Sequence, residues 1–246
     1  MQQNSQDTAL AQQLLARLII DPTFREQVKR GQRSVETDFG SSKAVEAVAQ
    51  RVSFDQLDRF NDIVRGTRFV VLTQRYAPLA DRLGAAKLEE VVTEFLRTVM
   101  IPDGRGDMDL KLFDAFCREK FPRSMFANLI GLHTARYLSA QGGQSFMSAD
   151  LTLGHRVVPL ALDLPMERLD QQFADWSAPA DGEPSYYVLM PHGDGIAVHE
   201  IDQESYDLLK SIERLTGLKD TLGLKTLLDD NRELLEQAAE EGIVRL

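Results

Sequence analysis

The clearest alternation of apolar and polar positions lies in the last sixty residues of the chain. Two short runs rich in apolar and β-branched residues, 186–190 and 196–201, flank the segment Pro191-His192-Gly193-Asp194-Gly195. Asp and Gly tolerate the positive φ angles of tight turns, so the segment predicts a β-hairpin with an Asp-Gly pair at its turn. Helical spacing of apolar residues follows in 204–215, 222–228 and 231–241. Asn231 is the expected cap of the last helix, Gly242 is its expected end, and residues 243–246 are expected to form an apolar tail.

The first 140 residues have helical periodicity almost throughout. Signals that start helices precede most of the segments: Asp21-Pro22, Ser53, Gly84 and Ser124. Ser53 is followed by a long amphipathic pattern that continues to Tyr76, whereas residues 31–42 have the composition of a loop. This part of the chain is therefore predicted to be an α-helical bundle.

Gly142-Gly143, inside a polar stretch, is the best domain boundary in the sequence. Beyond it an apolar run at 157–162 has the character of a strand, and Pro165 is placed to start a short helix that reaches about Trp176. The chain is predicted to be α+β, with a helical domain at 1–143 and an α+β domain at 144–246. The hairpin and three helices begin at about residue 185.

Composition and charge narrow the classes of function. The 246 residues are 43% hydrophobic and 27% charged, with a net charge of −10 and a pI of about 4.9. This acidity argues against binding to nucleic acid or to anionic membranes. No run of eighteen apolar residues is present, and the polar start is unlike a signal peptide. The expected location is the cytoplasm.

A hairpin followed by three small helices is the outline of a winged-helix-like module, and such modules usually bind DNA. Residues 200–241 contain twelve acidic and five basic side chains, a net charge of −7, which would repel phosphates. We therefore expect the exposed sheet edge to bind an extended peptide by strand addition. A winged-helix transcriptional regulator remains the leading alternative, and a free-standing hydrolase is a distant third because no nucleophile has a plausible base.

Neither catalytic nor metal chemistry has a clear signature. The four histidines (His133, His155, His192 and His199) include no pair at helical i, i+3 or i, i+4 spacing, although His192 and His199 flank one hairpin and could approach each other. Cys117 is the single cysteine, and it lies on an apolar helical face, where a buried thiol is expected. We therefore expect a protein without catalytic residues, metal ligands or a cofactor of its own.

Two strings near the C-terminus carry a family resemblance: Asp-Gln-Glu-Ser-Tyr-Asp-Leu-Leu at 202–209 and Glu-Leu-Leu-Glu-Gln-Ala-Ala-Glu-Glu-Gly-Ile-Val at 233–244. With the hairpin before them, they resemble the PqqD-like leader-peptide recognition element of enzymes that modify ribosomally made peptides. The resemblance implies that a peptide adds as a strand to the sheet edge and packs on the last helix. The residues expected to bind it are Ile196, Val198, Leu234, Leu235 and Ala238, although Leu235 has the core as an alternative.

The helical part has a second resemblance. Five segments are similar to the helical domain of partner subunits of multinuclear non-heme iron oxygenases, as in the methanobactin and 3-thiaglutamate pathways: 69–79, 83–84, 95–96, 113–116 and 129–136. This likeness implies a heterodimer in which a TIM-barrel oxygenase holds the iron and oxidises a peptide residue, with a cysteine at or near the C-terminus as the expected target. The present chain would bind the precursor or carrier peptide and present it to the oxygenase.

Overall fold

The computed structural model describes residues 2–99, 106–141, 151–154, 156–170, 175–179 and 182–246. The chain divides into two compact units, Met1–Arg105 and Gly106–Leu246. Helices dominate both, and a small antiparallel sheet lies in the second unit, so the predicted α+β class is confirmed. None of the helices in these residues is long and apolar enough to cross a membrane.

The described part of the first unit is helical, as predicted. Its helices are α1 (Gln2–Ile20), α2 (Pro22–Lys29), α3 (Val35–Phe39), α4 (Lys43–Arg51), α5 (Phe54–Arg75), α6 (Ala77–Leu83) and α7 (Ala85–Thr98). The predicted cap at Asp21 is confirmed, since its Oδ1 accepts a 2.8 Å hydrogen bond from the Phe24 N–H. The short α3 lies where a loop was predicted, because five residues are too few to show a helical period.

One hydrophobic cluster of this unit forms where α1 to α4 meet. Its buried members are Leu14, Leu18, Phe24, Val35 and Val45. The α3 helix is therefore held by tertiary packing, since Val35 enters this cluster, and by the Ser34 hydroxyl, which accepts a hydrogen bond from the Glu36 N–H.

The second unit contains α8 (Gly106–Lys120), α9 (Met125–Gln141), β1 (Thr152–Leu153), β2 (Val158–Leu162), β3 (Ser185–His192), β4 (Gly195–Ile201), α10 (Gln203–Leu218), α11 (Thr221–Asp230), α12 (Arg232–Glu240) and β5 (Val244–Arg245). A 3₁₀ turn at Met166–Asp170 stands where the sequence predicted a helix reaching Trp176, which itself is not helical. Residues 171–174 of that predicted helix lie outside the described residues, as does the predicted end of α7 at 101–104.

The two units divide earlier in the chain than the sequence suggested. The predicted boundary at 143/144 lies outside the described residues, whereas the compact units divide at Arg105/Gly106. The reason is that α9 packs against β2, β3 and β4. Asn128 on α9 fixes this packing, because its side-chain oxygen accepts a 2.7 Å hydrogen bond from the Asp163 N–H at the end of β2. Helices α8 and α9 therefore belong with the sheet.

The sheet has the antiparallel order β2-β3-β4, and the predicted hairpin is confirmed as β3 and β4. His192 pairs with Gly195, so the loop has two residues, Gly193 and Asp194. Gly193 has a φ of 55° and supplies the positive angle that a primed turn requires. The centre of the turn is thus Gly-Asp rather than the Asp-Gly pair expected from the sequence.

The two faces of the sheet pack on different helices. Val188 enters a buried cluster with Leu209 and Ile212 of α10, whereas its neighbour Leu189 points to the opposite face, which α9 covers. The full cluster on the α10 side is Leu151, Leu153, Val157, Val188, Leu209, Ile212, Leu224, Leu235 and Val244. We call it the C-terminal core.

The end of the chain is a strand rather than the apolar tail that the sequence suggested. β5 pairs with β1, so that Leu153 lies opposite Val244. Gly242 ends α12 with a φ of 75°, as predicted. Asn231 does not cap α12 with its side chain, because its Nδ2 donates instead to the Leu227 carbonyl oxygen at 3.0 Å.

Candidate functional site

The outer edge of β4 is the part of the sheet most suited to binding an extended peptide. Within the described ranges, β3 is the only strand that pairs with β4. Because the hairpin loop has two residues, His192 and Gly195 form a hydrogen-bonded pair, and such pairs alternate along an antiparallel ladder. The backbone N–H and C=O groups of Ile196, Val198 and Glu200 therefore point away from β3, toward the open edge.

The opposite edge of the sheet is less suited to binding an extended peptide. Its strand, β2, contains Pro159, which has no N–H and removes one donor from that strand. β4 contains no proline. The asymmetry favours β4 as the edge to which a strand can add.

The five residues expected to bind peptide do not share one surface. Ile196 and Val198 are half-buried, and their side chains line a cleft beside α9 together with Arg136 and Ser139. Leu235 is 0% exposed and belongs to the C-terminal core on the other face of the sheet, so its predicted alternative place in the core is confirmed.

The two remaining predicted residues lie on α12. Leu234 is 40% exposed and is free to contact another molecule, while Ala238 is half-buried against the C-terminal core. The sequence-based set therefore mixes backbone positions of the edge, one core residue and one exposed apolar side chain.

The side chains of β4 that share a face with α10 were missed by the sequence analysis. The register places Ala197 opposite Met190, His199 opposite Val188 and Ile201 opposite Tyr186. Val188 lies in the C-terminal core, so its cross-strand partner His199 faces the same side. The period of two, counted from the two-residue loop, could have identified this set.

A second surface of interest is an apolar stripe on the exposed side of α5. Phe60, Ile63, Val70 and Val71 are exposed to 48, 68, 50 and 38%. Their spacing places them along one side of the helix, and Gly66, between them, has open space where a side chain would lie. Exposed apolar side chains that share one side of a helix are typical of a surface that meets another molecule. We call these four residues the α5 stripe.

Two of the four histidines lie on the hairpin of β3 and β4. His192 and His199 are exposed and lie seven residues apart, on different strands of the hairpin, with His199 opposite Val188, so the two imidazoles do not approach each other as the sequence had allowed. His155 lies outside the described residues. Elsewhere in the described chain, no three His, Cys, Asp or Glu side chains form a group that could hold a metal ion.

Cys117 is fully buried in α8, as the sequence predicted. Burial, and secondarily the nearby Asp114 carboxylate, raises the pKa of the thiol well above its usual value. The thiolate is the nucleophilic form of cysteine, so burial disfavours nucleophilic reaction at this residue.

Comparisons with known proteins assign no family to this chain. No protein-family model matches the chain, and no curated protein matches its sequence. The two resemblances carried by short strings of the sequence therefore stay predictions.

Proposed function

We propose that this chain is a non-catalytic partner subunit that binds a ribosomally made precursor or carrier peptide and presents it to an iron-dependent oxygenase in the cytoplasm. The observation that carries the proposal is the open edge of β4, with the outward backbone groups of Ile196, Val198 and Glu200. Strand addition at such an edge gives affinity through main-chain hydrogen bonds, and alternate side chains give selectivity.

The position of the peptide groove follows from the position of the open β4 edge. A strand added beside β4 places half of its side chains on the face that carries Ala197, His199 and Ile201, which is also the face of the PqqD-like helices α10 to α12. Exposed Leu234 on α12 is the apolar contact proposed on that face. Ile196 and Val198 contribute backbone groups, and Leu235 supports α12 from within the core.

The α5 stripe is the surface that we assign to the oxygenase. Its exposed Ile63 and Val70 would be buried in the complex, in keeping with the likeness of segment 69–79, which begins in α5, to the helical domain of such partner subunits. Iron and the oxidative step, with a peptide cysteine as the expected target, belong to the TIM-barrel partner in this proposal. The present chain contributes binding and positioning.

Copurification tests the complex. The tagged chain is expressed together with the enzymes and short peptides encoded beside its gene, and the purified material is analysed for iron, peptide and DNA. An iron-containing barrel enzyme that elutes with the chain, and a chain that holds no stoichiometric iron when purified alone, are the expected results. Copurified DNA in place of the enzyme would instead favour the transcriptional regulator.

The α5 stripe has its own test in the same system. Ile63→Glu places a charge in the centre of the stripe and should abolish capture of the oxygenase, because an unpaired charge in an apolar interface is strongly unfavourable. Gln12→Glu, an equal change of charge at an exposed position of α1, should leave capture intact. Full capture by the Ile63→Glu chain would remove the α5 stripe from the interface.

A further inference from the structure

A cleft of about 410 Å³ lies between the C-terminal end of α9 and the turn that joins β3 to β4, entirely within the second unit. Arg136, Ser139 and Arg156 line one side of it, and Pro191, Ile196 and Val198 line the other. One wall is thus cationic and hydrogen-bonding, and the other is apolar.

Two residues of the cationic wall each contain a buried polar atom that has no hydrogen-bond partner among the residues that the structure describes. These atoms are the hydroxyl oxygen of Ser139, a residue that is 0% exposed, and Nε of Arg156. Folded proteins pair nearly all of their buried polar groups, so a buried hydroxyl without a partner in the wall of a cleft indicates a site for a ligand.

The guanidinium of Arg156 is held in a fixed position. Its Nη1 donates a 2.8 Å hydrogen bond to the Ala140 carbonyl oxygen near the end of α9. The backbone of Arg156 has a φ of 61°, a left-handed conformation that is unfavourable for a residue other than glycine. Such a conformation persists where the surroundings impose it, and it is frequent at sites that bind ligands.

Arg136 supplies a second guanidinium. Arg136 is exposed and lines the cleft. Nε of Arg156 and the Ser139 hydroxyl lack an acceptor, and together with the Arg136 guanidinium they suit an anion with several oxygens, since guanidinium groups match planar carboxylates in geometry.

The rest of the lining narrows the class of ligand. Pro191, Ile196 and Val198 offer apolar contact to a short aliphatic body. Asp194 brings one negative charge to the rim, which disfavours a dianion such as phosphate more than a single carboxylate. From this lining we infer that the cleft binds a carboxylate attached to a short aliphatic group.

This inference does not depend on the proposed function. The cleft uses the side chains of Ile196 and Val198, on the face that α9 covers, whereas strand addition uses their backbone groups at the edge of β4. A free aliphatic acid and the C-terminal residue of a peptide present the same chemistry to it, and the choice of probe separates these two sources.

Titration of the full-length protein by calorimetry and NMR tests the site with four probes: hexanoate, N-acetyl-leucine, N-acetyl-leucinamide and inorganic phosphate. The two carboxylates should bind, and the neutral amide should bind at least about tenfold more weakly because it forfeits charge-assisted hydrogen bonds. Tighter binding of hexanoate indicates a free acid as the ligand, whereas tighter binding of N-acetyl-leucine indicates a peptide end.

Variants locate the site. The affinity is compared for the carboxylate probe that binds the wild type more tightly. Arg136→Gln and Ser139→Ala should each lower this affinity, by about tenfold for the arginine variant, and Asp194→Asn should raise it. Arg214→Gln removes an equal charge from an exposed position of α10 and should change nothing. Arg136 is exposed, so its variant should melt as the wild type does, which separates loss of binding from loss of fold.

Several results of the titrations would overturn the inference. They are equal binding of the amide and the acid, tighter binding of phosphate than of either carboxylate, and unchanged affinity in the folded Arg136→Gln variant. Failure of all four probes to bind at millimolar concentration would do the same.

Discussion

The backbone N–H of Gly154 donates a 2.7 Å hydrogen bond to the carbonyl oxygen of Ile243. This bond extends the short β1–β5 pairing and fastens the end of α12 to the segment before the sheet. The approach is so close that a β-carbon at position 154 would overlap the Gly242 carbonyl oxygen. Gly154 is therefore required by contact rather than by an unusual φ.

Gly154→Ala should lower the free energy of unfolding by about 1–3 kcal/mol, the usual range for overpacking at a site that cannot expand. Denaturant unfolding followed by circular dichroism measures the change. Gly217→Ala is the matched control, since a β-carbon there meets nothing within 4 Å and Ala is the better helix former. The control should be neutral or slightly stabilising, and equal behaviour of the two variants would show that the β1–β5 junction is loose.

Val198→Pro should lower the affinity for a bound leader peptide about a hundredfold, because it removes an outward backbone donor from the β4 edge and disturbs the strand locally. The hairpin itself should survive, since the Val198 N–H does not pair with β3. Fluorescence anisotropy with synthetic peptides encoded beside the gene measures the affinity, and melting is recorded in parallel.

Two control variants distinguish the loss of an outward donor at the edge from the loss of the hairpin fold. Val198→Thr keeps the N–H and should bind the peptide normally. Ala197→Pro removes a donor that faces β3 and should destabilise the hairpin. A folded Val198→Pro chain with unchanged affinity would show that the peptide binds elsewhere.

A fragment of residues 106–246 should fold by itself, whereas a fragment of residues 144–246 should not. The shorter fragment lacks α9, so the sheet face that carries Leu189, which is 0% exposed in the chain, would be left in water. Dispersion of amide signals in ¹H–¹⁵N NMR spectra distinguishes folded from unfolded fragments. A well-dispersed spectrum of the shorter fragment would contradict this expectation.

Asp202, the cap of α10, should give the second unit an acid-sensitive contribution to stability. The Ser205 backbone N–H, 2.7 Å from its Oδ1, holds the pKa of this carboxyl below the usual value. Because the folded-state pKa is lowered, the contribution is present above the unfolded pKa of about 4 and is lost as pH falls through the folded value.

Asp202→Asn retains a capping oxygen but cannot titrate. The wild type should therefore melt at a higher temperature than the variant at neutral pH, and the difference should shrink as pH falls below about 4. A difference in melting temperature that stays constant down to pH 2 would mean that the charge of Asp202 contributes nothing.

Much of the fold could be read from the sequence where the signal is local. The caps at Asp21 and Ser53 and the hairpin each depend on a few neighbouring residues, and the structure has them where they were predicted. The domain boundary could not be predicted from local signals of this kind. Residues 142–143 have the composition of a linker, but α9 before them covers the sheet, and that long-range packing is invisible to a reading of local composition.

The candidate site shows the same limit at the scale of single residues. Ile196 and Leu235 are both apolar and both follow the expected periodicity, yet they lie on opposite faces of the sheet. The face of each strand residue depends on the register, which a two-residue loop determines, and on which helix covers which face. The Ser139 hydroxyl gave no signal at all, because only the folded chain shows that it lacks a partner.

Pro159 in β2 has a consequence for how many molecules the sheet can hold. Pro159 removes a donor from the β2 edge, so a second peptide should bind there more weakly than the first binds at β4, and one tightly bound peptide per chain is expected. Two copies of the chain joined through their β4 edges would also occupy the position that the peptide needs. Self-association through this edge and peptide binding should therefore be mutually exclusive, so that added peptide converts any such dimer into monomers.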